Sequence, residues 1–210
     1  MRFESIFEGI FLLKVPFDED VYTSVFAVVE GDELAVIDAA TTDEDVDSYI
    51  VPALRELSGR ERARVTHLLL THTHSDHAGG LRRLSEHYPD AKICSFEELP
   101  GGERLSDGDR ILGRLRVVHL PGHTLFSVGY LCEKTGALLS GDCLQLRGVG
   151  RYTRGVRYPD LYLASLDRLE TMGLSAIIAS HDYVPLGQIA EGGEAVKRYL
   201  DECKENLHSS

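Results

Sequence analysis

No stretch of this 210-residue chain approaches the ~20 consecutive apolar residues that cross a bilayer. The N-terminal run from Met1 to Ile10 lacks a basic segment followed by an apolar core, and Glu4 and Glu8 interrupt its pattern, so no secretory signal is expected. Cysteine is sparse. Cys94, Cys132, Cys143 and Cys203 lie far apart and form no C-x-x-C pair, so they read as reduced thiols of a cytoplasmic protein. Positive charge is in deficit: 22 Lys and Arg stand against 34 Asp and Glu, for a formal charge of −12 and a pI near 5.2. Binding to nucleic acid or an anionic membrane needs clustered Lys and Arg, so neither partner is expected. There is no G-x-S-x-G elbow to present a nucleophilic serine. Low-complexity tracts, short repeats and linkers are also missing, and the length suffices for a buried core, so residues 1–210 are expected to form a single domain.

What is present alternates strands with helices. Val21 to Glu30 is β-branched and aromatic, Gly31-Asp32 is a turn signal, and Leu34 to Asp38 follows as a buried strand, which together predict a hairpin. Thr42 to Leu57 predicts a helix, with Asp43, Glu44 and Asp45 at its N-terminus and a stripe of Ile50, Ala53, Leu54 and Leu57. Val65 to Leu70 predicts a strand, and a helix is expected from near His77 to about Tyr88. Further strands are read at Arg110–Leu120, Val128–Cys132, Gly136–Ser140 and Ala176–Ala179, and helices at Asp160–Met172 and Glu191–Cys203. This alternation places the chain in the α/β class.

One run concentrates the chemistry. In Thr71-His-Thr-His-Ser-Asp-His77, four strong metal donors occupy six residues, after an apolar strand and before Gly79-Gly80. Imidazole suits zinc, iron, nickel and copper, and carboxylate adds a harder oxygen donor. Residues two apart in an extended segment face the same side, so His72 and His74 can converge on one metal while Asp76 and His77 turn towards a second. Three further donors, His123, Asp142 and His181, each lie just past a predicted strand end, where rigid elements present residues on loops. His87 and His208 read as solvated surface residues. His67 and His119 sit inside strand patterns, as core groups or as supports for a ligand.

These motifs resemble the metallo-β-lactamase superfamily. Thr71 to Gly80, Pro121-Gly-His-Thr124, Gly141-Asp142 and Ser180-His181 occur in that family's order and rough spacing, and the chain looks most like glyoxalase II-type thioesterases and related small hydrolases. The resemblance implies a four-layer αββα sandwich. It implies one metal on His72, His74 and His123, a second on Asp76, His77 and His181, and Asp142 bridging both. It also implies that Asp38 supports the ligands from behind, a role consistent with carboxylates that orient ligating imidazoles. The chain departs from the pattern in places. Ala39-Ala40 replaces a small residue followed by Gly, and Ser180 replaces Gly before the last His. Glyoxalase II also carries a longer C-terminal helical region with basic glutathione contacts, which leaves glutathione thioesters without their usual partners here. β-Lactamases of this fold usually lack the bridging Asp, and its superfamily nucleases carry extra domains and basic grooves, so neither activity is expected.

The implied enzyme is a dinuclear metallo-hydrolase. Two divalent ions, zinc foremost and iron or manganese as alternatives, would share a bridging hydroxide that attacks a small thioester, ester or lactone. Asp76 and Asp142 are the candidate catalytic carboxylates. From Cys143 to Pro159 the chain holds Arg147, Arg151, Arg154 and Arg157 with no acid, a local reversal of sign. Arg147, Arg151 and Arg154 are candidates for binding an anionic substrate group, and Tyr183 for donating a hydrogen bond to substrate. Cys143 reads as a packing thiol. Two rivals remain: a mononuclear iron persulfide dioxygenase and a non-catalytic metal-binding protein. Oligomeric state is open, a dimer included.

Overall fold

Two sheets organise the chain. In this computed structural model, which describes residues 1–153 and 155–208, they fall in two compact units, Met1–Leu105 and Ser106–Ser210.

The first unit carries seven strands in sequential order: β1 (Glu4–Phe7), β2 (Ile10–Asp18), β3 (Val21–Glu30), β4 (Glu33–Ile37), β5 (Arg64–Leu69), β6 (Lys92–Ser95) and β7 (Glu103–Arg104). The expected hairpin is β3–β4, closed by Gly31 at φ 59° with Glu30 opposite Glu33. β1 and β2 extend this antiparallel meander, whereas β5, β6 and β7 add in parallel. The helix expected over Thr42–Leu57 starts where predicted. Thr42 Oγ1 accepts from the Asp45 N–H at 3.1 Å, and Asp45 accepts from the Thr42 N–H at 2.9 Å, a reciprocal capping box. It runs as α1 (Asp43–Asp45), a π-helical turn (Val46–Ile50) and α2 (Val51–Glu61). Pro52 lacks a donor and crowds the preceding turn, which accounts for the wider π geometry just before it. Val46, Ile50, Ala53, Leu54 and Leu57 pack with Leu13, Val25 and Val36 in one core cluster. Each larger side chain buried there contributes roughly 1.5–3 kcal/mol.

The helix expected from His77 to Tyr88 is instead two pieces, α3 (Ser75–Ala78) and α4 (Leu81–His87). Close backbone contact explains the break. A Cβ on Gly79 would lie 2.0 Å from the Thr41 carbonyl oxygen, and one on Gly80 would lie 2.3 Å from that of Ala39. The two glycines let the segment after the ligand run lie directly on residues 39–42.

The second unit carries a six-stranded sheet in the order β15-β14-β11-β10-β9-β8, with β8 (Arg110–Ile111), β9 (Leu115–His119), β10 (Val128–Cys132), β11 (Ala137–Gly141), β14 (Ala176–Ala179) and β15 (Ile189–Glu191). A separate hairpin joins β12 (Gly148–Val149) to β13 (Tyr152–Thr153). The single strand expected over Arg110–Leu120 is an antiparallel pair, because Leu112 and Gly113 both take positive φ, at 55° and 64°, and turn the chain back. Helix α5 (Pro159–Glu170) links β11 to its parallel neighbour β14. The last helix, α6 (Gly193–His208), begins two residues later than expected because Ile189–Glu191 pairs with β14. Tyr162, Leu166 and Leu169 of α5 share a core cluster with Val196, Tyr199, Leu200 and Cys203 of α6.

Candidate metal centre

Parallel pairing of β4 with β5 brings the ends of both strands together. The Asp38 N–H donates to the Leu69 carbonyl at 2.9 Å, and the chain then enters the histidine run. Asp38 takes φ 64°, which a short polar side chain tolerates. Its carboxylate accepts from the Thr71 N–H at 2.8 Å, from Thr71 Oγ1 at 2.8 Å and from His77 Nδ1 at 2.8 Å. A carboxylate acceptor on Nδ1 fixes the neutral imidazole with its proton there and its lone pair on Nε2. His77 Nε2 lies 3.4 Å from Asp76 Oδ2. The His72 ring packs 4.2 Å from that of His77 and 4.6 Å from that of His74, centroid to centroid. All four donors of the run are therefore gathered at one end of the first sheet. The Ala39-Ala40 turn holds without glycine: Ala40 takes φ 55°, and Ala39 N–H donates to the His77 carbonyl at 2.6 Å. Left-handed backbone at a residue with a Cβ costs roughly 1–2 kcal/mol, so packing imposes this conformation.

In the second unit, β9, β11 and β14 all point the same way, and each releases one candidate at its C-terminal end. His123, Asp142 and His181 are all buried. The Asp142 carboxylate lies between the two imidazoles: Oδ1 is 3.5 Å from His181 Nε2 and Oδ2 is 3.8 Å from His123 Nε2. His123 Nδ1 lies 2.7 Å from the Gly155 carbonyl, which can only accept, and 2.9 Å from Gln145 Nε2, which can only donate; a proton on Nδ1 directed at the carbonyl would leave the lone pair on Nε2. Imidazole nitrogens and carboxylate oxygens with the second ring nitrogen already bonded are a donor set that fits zinc, iron or manganese.

The remaining candidates separate. Arg147 pairs with Glu202 of α6, Nε to Oε1 at 3.0 Å and Nη2 to Oε1 at 2.7 Å. Arg151 sits in the turn between β12 and β13, with its guanidinium 5.4 Å from the Tyr152 ring centroid. Arg154 lies outside the described residues. Tyr183 is buried in the second core cluster, its ring edge-on to His181 at 5.6 Å. Cys143 packs in that same cluster, and no disulfide joins cysteines among the described residues. His87, expected to be solvated, accompanies Asp47 at 2.7 Å on the surface. Sequence reading missed Gln145 and Gly155. Gly155 N–H donates to Gln145 Oε1 at 2.5 Å, and Gln145 Nε2 lies 2.9 Å from His123 Nδ1. The one available signal was a glutamine inside the apolar run Cys143-Leu-Gln-Leu146.

Comparison with known proteins fits these arrangements. Residues 18–110 match the model of the metallo-β-lactamase superfamily. A hydroxyacylglutathione hydrolase from one Synechococcus strain is 33% identical over 184 residues, covering 80% of this chain and 67% of that protein. Its namesake from Xanthomonas campestris pv. campestris is 31% identical over 179 residues, covering 82% and 65%. That from a second Synechococcus strain is 32% identical over 154 residues, covering 69% and 59%. The chain thus spans about three fifths to two thirds of the length of these relatives. A metallo-β-lactamase family protein from Thermus thermophilus superimposes with a TM-score of 0.73 at 22% identity, covering 98% of this chain and 81% of its own. A flavo di-iron protein from Thermotoga maritima does so at 0.78 and 17%, covering 98% and 60%. Such distant likeness establishes the fold, the α/β metallo-β-lactamase fold, and leaves the chemistry to the site. Among the described residues no helix is long and apolar enough to cross a membrane.

Proposed function

Because the chain belongs to the metallo-β-lactamase superfamily, we propose that it is a metal-dependent hydrolase that cleaves a small thioester, ester or lactone. In this reading residues 1–210 work as one domain, His72, His74 and His123 would hold one divalent ion, Asp76, His77 and His181 would hold the second, and Asp142 would serve both. The observation that carries it is Asp142, whose two oxygens are directed separately at His181 and His123. A carboxylate so divided would offer one oxygen beside each imidazole, which would suit two ions better than one.

When bound, a pair of divalent ions supplies a water of lowered pKa at neutral pH and polarises the acyl carbonyl. The chain's own residues do the rest. Asp38 and the Gly155 carbonyl hold the His77 and His123 rings with Nε2 as the donor atom. Water adds across the acyl bond, the C–S or C–O bond breaks, and a carboxylate of Asp76 or Asp142 takes the proton released at attack and passes it to the leaving thiolate or alkoxide. The products are a carboxylic acid and a thiol or alcohol, or one hydroxy acid from a lactone.

Substrate choice is assigned to the β12–β13 hairpin. Arg147 pairs with Glu202, and Arg151, in the turn of the hairpin beside the Tyr152 ring, is the arginine proposed to meet an anionic group of the substrate. The relatives' name, hydroxyacylglutathione hydrolase, makes a glutathione thioester the first compound to assay. Zinc is the expected metal and the cytoplasm the expected compartment. The test is metal quantification on protein purified without added metal, followed by thioester, ester and lactone assays on that preparation. Hydrolysis that is lost on chelation and restored by zinc supports the proposal. A single iron per chain with O2 uptake on a persulfide would replace it with the dioxygenase reading.

A further inference from the structure

Gln145 is buried, carries no charge, and belongs to none of the ligand motifs, yet its side chain meets three parts of the second unit's donor cluster. Its Oε1 accepts from Gly155 N–H at 2.5 Å. Its Nε2 lies 2.9 Å from His123 Nδ1 and 3.5 Å from Asp142 Oδ2. Its backbone N–H donates to Tyr162 Oη at 3.3 Å, a hydroxyl that burial holds well above the usual phenol range and hence protonated. Gly155 completes the circuit, because its carbonyl accepts from His123 Nδ1 at 2.7 Å. A side chain at that point would press on the ring: a Cβ on Gly155 would stand 3.1 Å from His123 Cε1 and 3.2 Å from Nδ1. The backbone at Gly155 therefore lies close against the Nδ1–Cε1 edge of the imidazole, and the Gln145 amide holds it there.

We propose that Gln145 is a positioning residue that clamps Gly155 onto His123, so that the aim of the His123 Nε2 lone pair depends on the segment bearing the β12–β13 hairpin. The inference rests on the metallo-hydrolase reading and adds to it a link between a ligand and the arginine-bearing hairpin. Ring orientation decides how well an imidazole binds metal, and loss of such a support typically costs roughly 10- to 100-fold in metal affinity. The hairpin is held independently at its base, by Arg147 N–H to the Val184 carbonyl at 3.0 Å and Val184 N–H to the Gly148 carbonyl at 3.1 Å. Removing the Gln145 amide should accordingly disturb His123 without unfolding the hairpin.

The experiment compares wild type, Gln145→Met and Gly155→Ala. Met keeps the volume of Gln and removes both hydrogen-bonding atoms, whereas Ala at 155 pushes the ring from the other side. Zinc affinity is measured by chelator competition, visible absorption is recorded with cobalt, and the fold of each metal-free variant is checked by near-ultraviolet circular dichroism. The expected result is two zinc ions on wild type, with one of the two weakened roughly 10- to 100-fold in each variant, a changed cobalt spectrum, and the other ion unaffected. Either folded variant binding both ions with wild-type affinity and an unchanged cobalt spectrum would overturn the role of Gln145. Wild type binding no divalent ion would instead overturn the hydrolase reading, so the two failures are told apart.

Discussion

Nδ1 of His77 donates to Oδ2 of Asp38 at 2.8 Å, and both side chains are fully buried. Asp38 also accepts from the Thr71 backbone and hydroxyl, so one carboxylate ties the end of β4 to both ends of the ligand run. Asp38→Ala is expected to leave these donors unsatisfied and to destabilise the protein by roughly 2–5 kcal/mol. Asp38→Asn preserves the shape and is expected to lower metal affinity roughly 10- to 100-fold. Urea titration and chelator competition measure the two effects. Wild-type zinc affinity in Asp38→Asn would contradict the orienting role.

The Gly79-Gly80 pair permits close backbone contact. Gly79→Ala places a methyl group 2.0 Å from the Thr41 oxygen, and the rigid carbonyl cannot yield as a flexible side chain would. The expected loss is about 2 kcal/mol or more by chemical denaturation, at the upper end of overpacking costs. A change within about 0.5 kcal/mol would show that residues 39–42 can move away.

How much of this was legible beforehand differs by residue. His72, His74, Asp76 and His77 were legible because they are crowded into one run, and local sequence alone reveals that density. His123, Asp142 and His181 were found by their places after apolar strands, and the resemblance supplied Asp38. Gln145 and Gly155 were invisible. The contacts that tie them to each other and to His123 span ten or more positions, and neither residue type is a metal donor. The sequence from Arg110 to Leu120 reads as one strand rather than a strand–turn–strand because Leu112 occupies a positive-φ position that usually takes Asn, Asp or Gly. The break after Ala78 was missed for a similar reason. Its cause is the approach of residues 39–42, which sequence periodicity does not contain.

Cys94 and Cys203 make a prediction about pH. Burial pushes both thiols up from an ordinary 9.0 to about 11. The folded protein therefore holds these protons more tightly than the unfolded chain. The stability they contribute is fully present below about pH 9 and is lost as pH rises towards about 11. Melting temperature should fall across that window, and less steeply in Cys203→Ala when each is referenced to its own value at neutral pH. An identical slope would contradict the assignment. At about pH 8 only about one in a thousand such thiols is ionised, so alkylation of these two cysteines should be slow until the protein unfolds.

Arg151 offers a test of substrate class. If its guanidinium meets an anionic group, Arg151→Ala should raise KM for an anionic acyl substrate roughly 10-fold with little change for a neutral analogue, as expected for about 1.4 kcal/mol of lost charge-assisted binding. Equal effects on both substrates would assign Arg151 to the structure of the hairpin instead.

If these donors hold two ions and use them in hydrolysis, metal stoichiometry and activity should rise together. Protein purified without added metal, then titrated with zinc and quantified by elemental analysis, should carry two zinc ions per chain, with thioester or ester hydrolysis rising as the sites fill. His123→Ala and His181→Ala should each reduce the count at limiting zinc. A chain that holds one iron and consumes O2, or that binds no divalent ion while folded, would rule out the two-metal hydrolase.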